Sequence, residues 1–282
     1  MHRAAVRGEQ VAALVAQCAK LRVQIIQMLE HSGSGHPGGS LSMIDLVASL
    51  YQCKLRHDPS RPSWPERDRF VLSKGHGVPA LYVTLARHGY FDEAELGSLR
   101  AAGSRLQGHP VRDSVPGIES SSGSLGQGLS IAQGMALAAR LDARDYSVYC
   151  LVGDGEIQEG QIWEAAMSAA KFGLDNLITI VDNNRAQLDG FVREIMPIEP
   201  IEAKWQAFGW DTKRIDGHDH DQILDAYDWA GERRSKPKVI VADTVKGKGV
   251  SFMEDNNAWH GVAPNAEQAA QAIREIESAV PA

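Results

Sequence analysis

The sequence predicts one doubly wound α/β domain, a mostly parallel sheet with helices on both faces. Three observations carry that expectation. Short β-rich runs recur at Phe70–Leu72, Tyr146–Val152, Leu177–Asp182, Asp211–Ile215 and Val239–Thr244. Segments with helical spacing lie between them, at Gln127–Leu141, Gln161–Phe172 and Asp221–Arg233. The strand runs are continuous rather than alternating in polarity, as expected where helices cover both sheet faces. Strand–helix–strand repetition of this length favours parallel pairing with right-handed crossovers.

Taken in order, the chain opens on a long amphipathic helix from about Glu9 to Leu29, spanning roughly residues 9–30. Its apolar stripe of Val11, Leu14, Val15, Leu21 and Ile25 suits packing within the molecule or between subunits better than membrane binding. The loops that matter follow strands, because ligands of such sheets bind beyond the carboxyl ends of the strands. Gly153–Gly160 follows the run ending at Val152, Asn183–Gly190 the run ending at Asp182, and Lys246–Gly261 the run ending at Thr244. His218-Asp219-His220-Asp221 resembles a metal cluster by composition, but its place between a strand and a helix reads as a turn with an aspartate N-cap. A final helical tail occupies about 265–280, and no linker, charge block or repeat divides the chain.

Composition narrows the function. Of 282 residues, 43% are apolar and 23% charged, and the net charge is −7. That excludes a generally basic nucleic-acid binder. The longest unbroken apolar runs, such as Leu177–Val181 and Val239–Ala242, fall far short of the roughly 20 residues a membrane span needs. Glu9, Gln10 and Gln17 interrupt any secretory apolar core. Cys18, Cys53 and Cys150 are few, odd in number and widely spaced, which points to a reducing cytoplasm rather than a disulfide framework.

Gly153-Asp154-Gly155-Glu156 opens a glycine loop between strand and helix. A dinucleotide fingerprint fails there, because the third glycine position holds Gln158 and an aspartate would face the pyrophosphate. An acid beside a diphosphate is tolerable with a divalent cation between them. Asp154 therefore reads as a metal ligand, with a plain turn and N-cap as the bland alternative. Asn183-Asn184 ends the next strand, and Asn184 follows Asp154 by 30 residues, about one loop–helix–strand unit. Oxygen ligands of this kind suit magnesium or calcium.

Gly-Asp-Gly followed by Asn-Asn at this spacing resembles the thiamine diphosphate signature, and the chain as a whole resembles the N-terminal, diphosphate-binding half of transketolase. The resemblance rests on Ser34-Gly35-His36-Pro37-Gly38, on Arg67 through His76, on Gly108-His109-Pro110 and on Gly123-Ser124-Leu125-Gly126-Gln127-Gly128. It continues through Gly153–Glu156, Asp182-Asn183-Asn184, and Val245–Gly249 with Trp259-His260-Gly261. The stretches run in family order from about residue 10 to 265. Deoxyxylulose phosphate synthase and the α chains of 2-oxo acid dehydrogenases share Gly-Asp-Gly with a later asparagine. The His36 loop and the Lys246–His260 stretch favour transketolase, and the retained histidines and metal ligands weigh against a non-catalytic homologue.

The resemblance implies the thiamine diphosphate-binding fold, with residues 1–282 as a single diphosphate-binding domain. It implies thiamine diphosphate and Mg2+, or Ca2+ or Mn2+, as cofactors. Asp154, Asn184 and the Ala186 carbonyl would hold the metal. Gly155 would offer its N–H to a phosphate oxygen, with Glu156 beside it, and His76 and His260 would donate to the diphosphate. Gly123, Ser124, Leu125 and Leu188 would line the cofactor rings. His36, His76, His109 and His260 would serve the reacting carbons, since imidazole moves protons near neutral pH. Glu159 matches a glutamate linking two active sites across a dimer interface, and equally suits a first-turn acid stabilised by the helix dipole. Lys246 and Lys248 could contact phosphate or acidic partner groups, though loop lysines are more often solvated.

A complete site of this family also needs a glutamate that protonates the aminopyrimidine, and residues gripping the sugar phosphate, from a second, pyrimidine-binding domain. The expectation is therefore a split transketolase, with a separate C-terminal subunit in an α2β2 assembly. It would transfer a two-carbon ketol unit from a ketose phosphate to an aldose phosphate. Ser124 stands where the family often has proline, and Gln158 also departs from the pattern.

Overall fold

The computed structural model describes residues 2–233 and 235–279, so the last position expected of the C-terminal tail, 280, lies outside the described residues. Five parallel strands form one sheet in the order β1-β2-β3-β5-β4, with β1 Arg69–Leu72, β2 Val148–Gly153, β3 Leu177–Asn183, β4 Asp211–Asp216 and β5 Lys238–Asp243. Nine α-helices accompany it among the described residues. They are α1 His2–Ser32, α2 Pro37–Cys53, α3 Val78–Arg87, α4 Gln127–Leu141 and α5 Gly160–Lys171, then α6 Val192–Ile195, α7 Ile201–Ala207, α8 His220–Gly231 and α9 Ala266–Ser278.

Two apolar cores sandwich the sheet, and successive strand residues feed them in turn. Phe70, Leu72, Tyr149, Leu151, Ile178, Ile180, Ile240 and Ala242 point into one core, shared with α1, α2, α3, α8 and α9. Val71, Val148, Cys150, Val152, Leu177, Val181, Val239 and Val241 point into the other, under α4, α5 and α7. Both faces being covered, the central strands have no polar side, which is why they read as unbroken apolar runs. β4, at the sheet edge, keeps only Ile215 buried and reads as mixed polarity.

α1 begins seven residues earlier than the expected Glu9. Its stretch Val6–Ser32 is long and apolar enough to cross a membrane by length and composition. One side of it joins the core. Leu14, Leu21 and Ile25 of the expected stripe are buried together with Cys18, Ile26 and Leu29, while Val11 and Val15 are half-buried, and the helix packs against α2, α3 and α9. α9 starts on a capping box between Asn265 and Gln268. α2 and α3 carry Pro37 and Pro79 in their first turns, and nearly every residue of both is buried. Neither shows a polar stripe, so neither announces itself by periodicity.

Candidate functional site

The carboxyl ends of β1, β2, β3 and β5 face one way, and the loops leaving them converge. A cavity of about 280 Å3 opens there, lined by Gly39 of α2, Lys74 and His76 after β1, and Leu125 before α4. Gly153, Asp154, Gly155, Glu156, Gln158 and Glu159 after β2 continue the wall, with Asn184, Ala186, Gln187 and Leu188 after β3 and Lys246 and His260 after β5. A larger cleft of about 600 Å3 lies beside β4 and β5, but its charged walls are mutually paired, Arg214 holding both Asp243 and Glu199.

The loops are tied to one another by groups the sequence marks as unusual. Glu156 is buried, and its carboxylate accepts from Ser73 Oγ at 2.5 Å, Gly126 N at 2.8 Å and Gly153 N at 3.0 Å. Its oxygens join three loops while the residue still lines the cavity. Gly126 caps α4 at φ +82°, and a Cβ there would lie 2.8 Å from the Glu159 Cβ. Gln158 donates to Gln187 Oε1 at 2.6 Å, linking the β2 and β3 loops.

Asp154 and Asn184 line the same cavity. Asp154 Oδ1 accepts from Gly155 N at 2.7 Å, so that N–H is turned to the neighbouring carboxylate rather than into the cavity. Asp154 Oδ2 is buried and has no hydrogen-bond partner among the described residues. Burial, and then the charge of Asp182, push its pKa up to about 7. The Asn184 amide donates to Asp182 Oδ2 at 3.2 Å, and its Oδ1 accepts from Ala186 N, also at 3.2 Å. An orphaned buried acceptor beside an oriented amide oxygen fits a hard divalent cation.

Asp182 is fully buried and accepts from Lys74 Nζ at 2.5 Å, from Ser42 Oγ at 2.6 Å and from Thr244 Oγ1. Burial opposes its charge, but Lys74 and the hydroxyls of Ser42 and Thr244 together hold the carboxyl below its ordinary value. Lys246, for which the sequence leaves open a phosphate or acidic contact or plain solvation, is buried: its Nζ meets His260 Nδ1 at 2.8 Å and Gln187 O at 3.3 Å. Burial, then the nearby Lys74, lower its pKa to about 8. Lys248 lies away from the cavity and faces Glu254 at 3.6 Å. Lys74 is the cavity residue the sequence marks least, its one signal being a lysine placed between a strand end and Gly75-His76.

The four histidines do assemble. Ring centroids lie 5.3 Å apart for His36 and His76, 5.5 Å for His36 and His260, 5.3 Å for His76 and His260, and 6.2 Å for His36 and His109. Burial is the main cause that lowers all four, with neighbouring cations adding to it. His36 falls to about 4 and His260 to about 3, and His76 and His109 move the same way. Gly123 sits against His109, where a Cβ would come within 3.4 Å of the ring, and Ser124 beside it is exposed. Leu125 and Leu188 are exposed on the cavity rim. Glu159 is exposed at the N-cap of α5, and its side chain makes no capping bond. The His218 motif behaves as expected of a turn, with Asp219 accepting from Asp221 N and Gln222 N.

Comparison with known proteins places this geometry. Residues 14–278 match the family described as transketolase, thiamine diphosphate binding domain. The chain is 46% identical over 270 residues to a 6-deoxy-6-sulfo-D-fructose transketolase subunit of Clostridium sp., covering 96% of this chain and 98% of that one. It is 42% identical over 271 residues to an apulose-4-phosphate transketolase subunit of Phocaeicola vulgatus, covering 96% of each. Among solved structures, transketolase from Campylobacter jejuni aligns with a TM-score of 0.88 at 34% identity, over 94% of this chain and 42% of that one. The transketolase of Leishmania mexicana aligns with a TM-score of 0.89 at 31% identity, over 94% of this chain and 41% of that one. The chain spans about two-fifths of the length of these solved transketolases. By sequence, fold and the convergence of its strand-end loops, the chain belongs to the family of transketolase thiamine diphosphate-binding domains.

Proposed function

We propose that this chain is the diphosphate- and metal-binding subunit of a two-subunit transketolase, which transfers a two-carbon ketol unit from a ketose to an aldose phosphate. The observation that carries the reading is the buried, unpartnered Asp154 Oδ2 in a cavity shared with Asn184, Lys74, Lys246, His76 and His260. A buried carboxylate oxygen without a donor is costly unless a cation occupies the space beside it. Asp154 and Asn184, with the Ala186 carbonyl, would hold Mg2+, or Ca2+ or Mn2+ in its place. When bound, thiamine diphosphate supplies the nucleophilic carbon that breaks and remakes the bond beside the sugar carbonyl.

The chain's own groups have separate tasks. Lys246 donates to His260 Nδ1, which leaves the His260 proton on Nε2, available to an anion in the cavity. Lys246 adds positive charge where the diphosphate is to lie, while Lys74 is paired with Asp182. His36 and His109, neutral at pH 7 because burial disfavours the imidazolium, can accept protons from substrate hydroxyls. Leu125 and Leu188 offer an apolar rim for the cofactor rings.

The partner subunit would supply the acid facing the aminopyrimidine and the grip on the sugar phosphate. The names of the two relatives matched along their whole length, each a transketolase subunit, support that division, and an α2β2 heterotetramer would bring exposed Glu159 to a second copy. Those relatives act, by name, on a sulfonated fructose and on apulose 4-phosphate. The class carried over here is a ketose with an anionic group. Three unpaired cysteines, two of them buried, suit the reducing cytoplasm. The test is to purify the chain with the protein encoded beside it, add thiamine diphosphate and Mg2+, and assay ketol transfer. Activity should need both subunits. Full activity of this chain alone, or none from the pair with any phosphorylated or sulfonated ketose, would overturn the reading.

A further inference from the structure

The histidine of the Gly217–Asp221 turn has a second set of contacts that its N-capping neighbour does not explain. His218 Nδ1 lies 2.7 Å from Asp45 Oδ2, and its Nε2 receives the Val245 N–H at 2.9 Å. Asp45 is itself clamped by Arg22, at 3.0 Å to Oδ1 and 2.5 Å to Oδ2. Cys18, Asp45 and His220 gather closely enough to suggest a metal site, but the Asp45 oxygens are occupied by the guanidinium and the imidazole. A cation there would have to displace Arg22. The cluster is better explained by what it holds than by what it could bind.

We propose that His218 is a positioning residue for Lys246: anchored by Asp45 on one ring nitrogen and accepting the Val245 N–H on the other, it fixes the strap that delivers the Lys246 ammonium to the cavity. Because Nε2 must accept from a backbone amide, the ring proton sits on Nδ1 and is donated to Asp45. Asp45 sits in α2 and His218 follows β4, so the relay ties the helix that runs into the site to the loop leaving β5. The strap is pinned again just beyond, where Gly247 N donates to Gly38 O at 3.0 Å and Asp255 N to Lys246 O at 3.0 Å. The His218 side chain is only 14% exposed, so water does not compete well for either bond. What Lys246 then meets rests on the cofactor reading above; that His218 sets its place does not.

Lysine acylation of the full chain, followed by peptide mass spectrometry, tests this with a built-in reference. Lys238 is also buried, at the opposite end of β5, its ammonium held by the carbonyls of Trp229 and Ala230. His218→Leu keeps the bulk and removes both bonds. It should raise the acylation rate of Lys246 relative to Lys238 by about tenfold, the scale of losing the one of the two bonds that holds the Val245 amide and so opening that segment. His218→Gln carries one donor and one acceptor on a similar reach and should restore the ratio to near wild type. An unchanged ratio in His218→Leu, or a rise of both lysines together as in global loosening, would overturn the proposal. So would a glutamine variant that behaves like leucine. In the wild type mixed with its partner subunit, thiamine diphosphate with Mg2+ should protect Lys246; failure of that arm would sink the cofactor reading while the ratio still decides the relay.

Discussion

At the scale of single residues, the site is built from groups whose charges are arranged before any ligand arrives. Asp182 is neutralised by Lys74, whereas one oxygen of Asp154 has no donor at all among the described residues. Removing the Asp154 charge should therefore cost the apo chain nothing, although on the proposed reading it removes a metal ligand. Asp154→Asn is expected to melt no lower than wild type without ligands, and to lose Mg2+-dependent thiamine diphosphate binding by at least about a hundredfold, as a lost charged metal contact does. Calorimetric titration alongside a thermal melt would show both, and retained affinity would remove Asp154 from the metal. Asp154, Asn184 and the four histidines were legible in the sequence because each sits in a short motif with small neighbours. Lys246 was not, since nothing local to a loop lysine tells whether a second loop will close over it. The bonds of Glu156 were hidden for the same reason: they go to Ser73, Gly126 and Gly153, and two of these are distant in the chain.

At the scale of elements, two junctions carry the site. The first is the start of α4, where Gly126 adopts a left-handed backbone against Glu159. Gly126→Ala should cost about 1–2 kcal/mol for the left-handed conformation alone, more once its Cβ crowds Glu159. A urea denaturation midpoint no lower than wild type would contradict that packing. The second junction joins α1 to α2 through the buried Arg22–Asp45 pair. Burial alone would raise the Asp45 carboxyl, but Arg22 and then His218 more than offset it and hold it well below the usual carboxylate range. A depressed folded pKa stabilises the protein above the unfolded value of about 3.9 and loses that contribution as pH falls through it toward the folded value. Wild type should accordingly lose stability on acidification below about pH 4. Arg22→Met should be destabilised by about 3–5 kcal/mol at neutral pH, because it strands a buried charge, and its acid limb should be flatter. Urea midpoints across pH 3 to 7 measure both. The strands β2, β3 and β5 were readable because their burial on both sides leaves an apolar run. α2 and α3 were not, because helices buried nearly all round lose the polar stripe by which helices are found.

At the scale of the whole molecule, the four strand-end loops make a cavity that favours neither of its expected ligands alone. Lys246 discourages a free cation, and Asp154 discourages a free diphosphate. Bound together, metal and diphosphate cancel both objections, so their effects on stability should be cooperative rather than additive. At a concentration about a hundred times the dissociation constant, a ligand that binds only the folded chain stabilises it by about 2.7 kcal/mol. Thiamine diphosphate plus Mg2+ should approach that gain in a urea titration, each alone should give little, and a chelator should reverse it. The measurement belongs on the chain by itself and again on its mixture with the partner subunit. A shift seen only in the mixture would mean that the partner completes the pocket for the cofactor rings, as the exposed Leu125 and Leu188 suggest. Equal shifts for metal alone and for the pair would show that the diphosphate contributes nothing, and the charge arrangement around Asp154 would need another explanation.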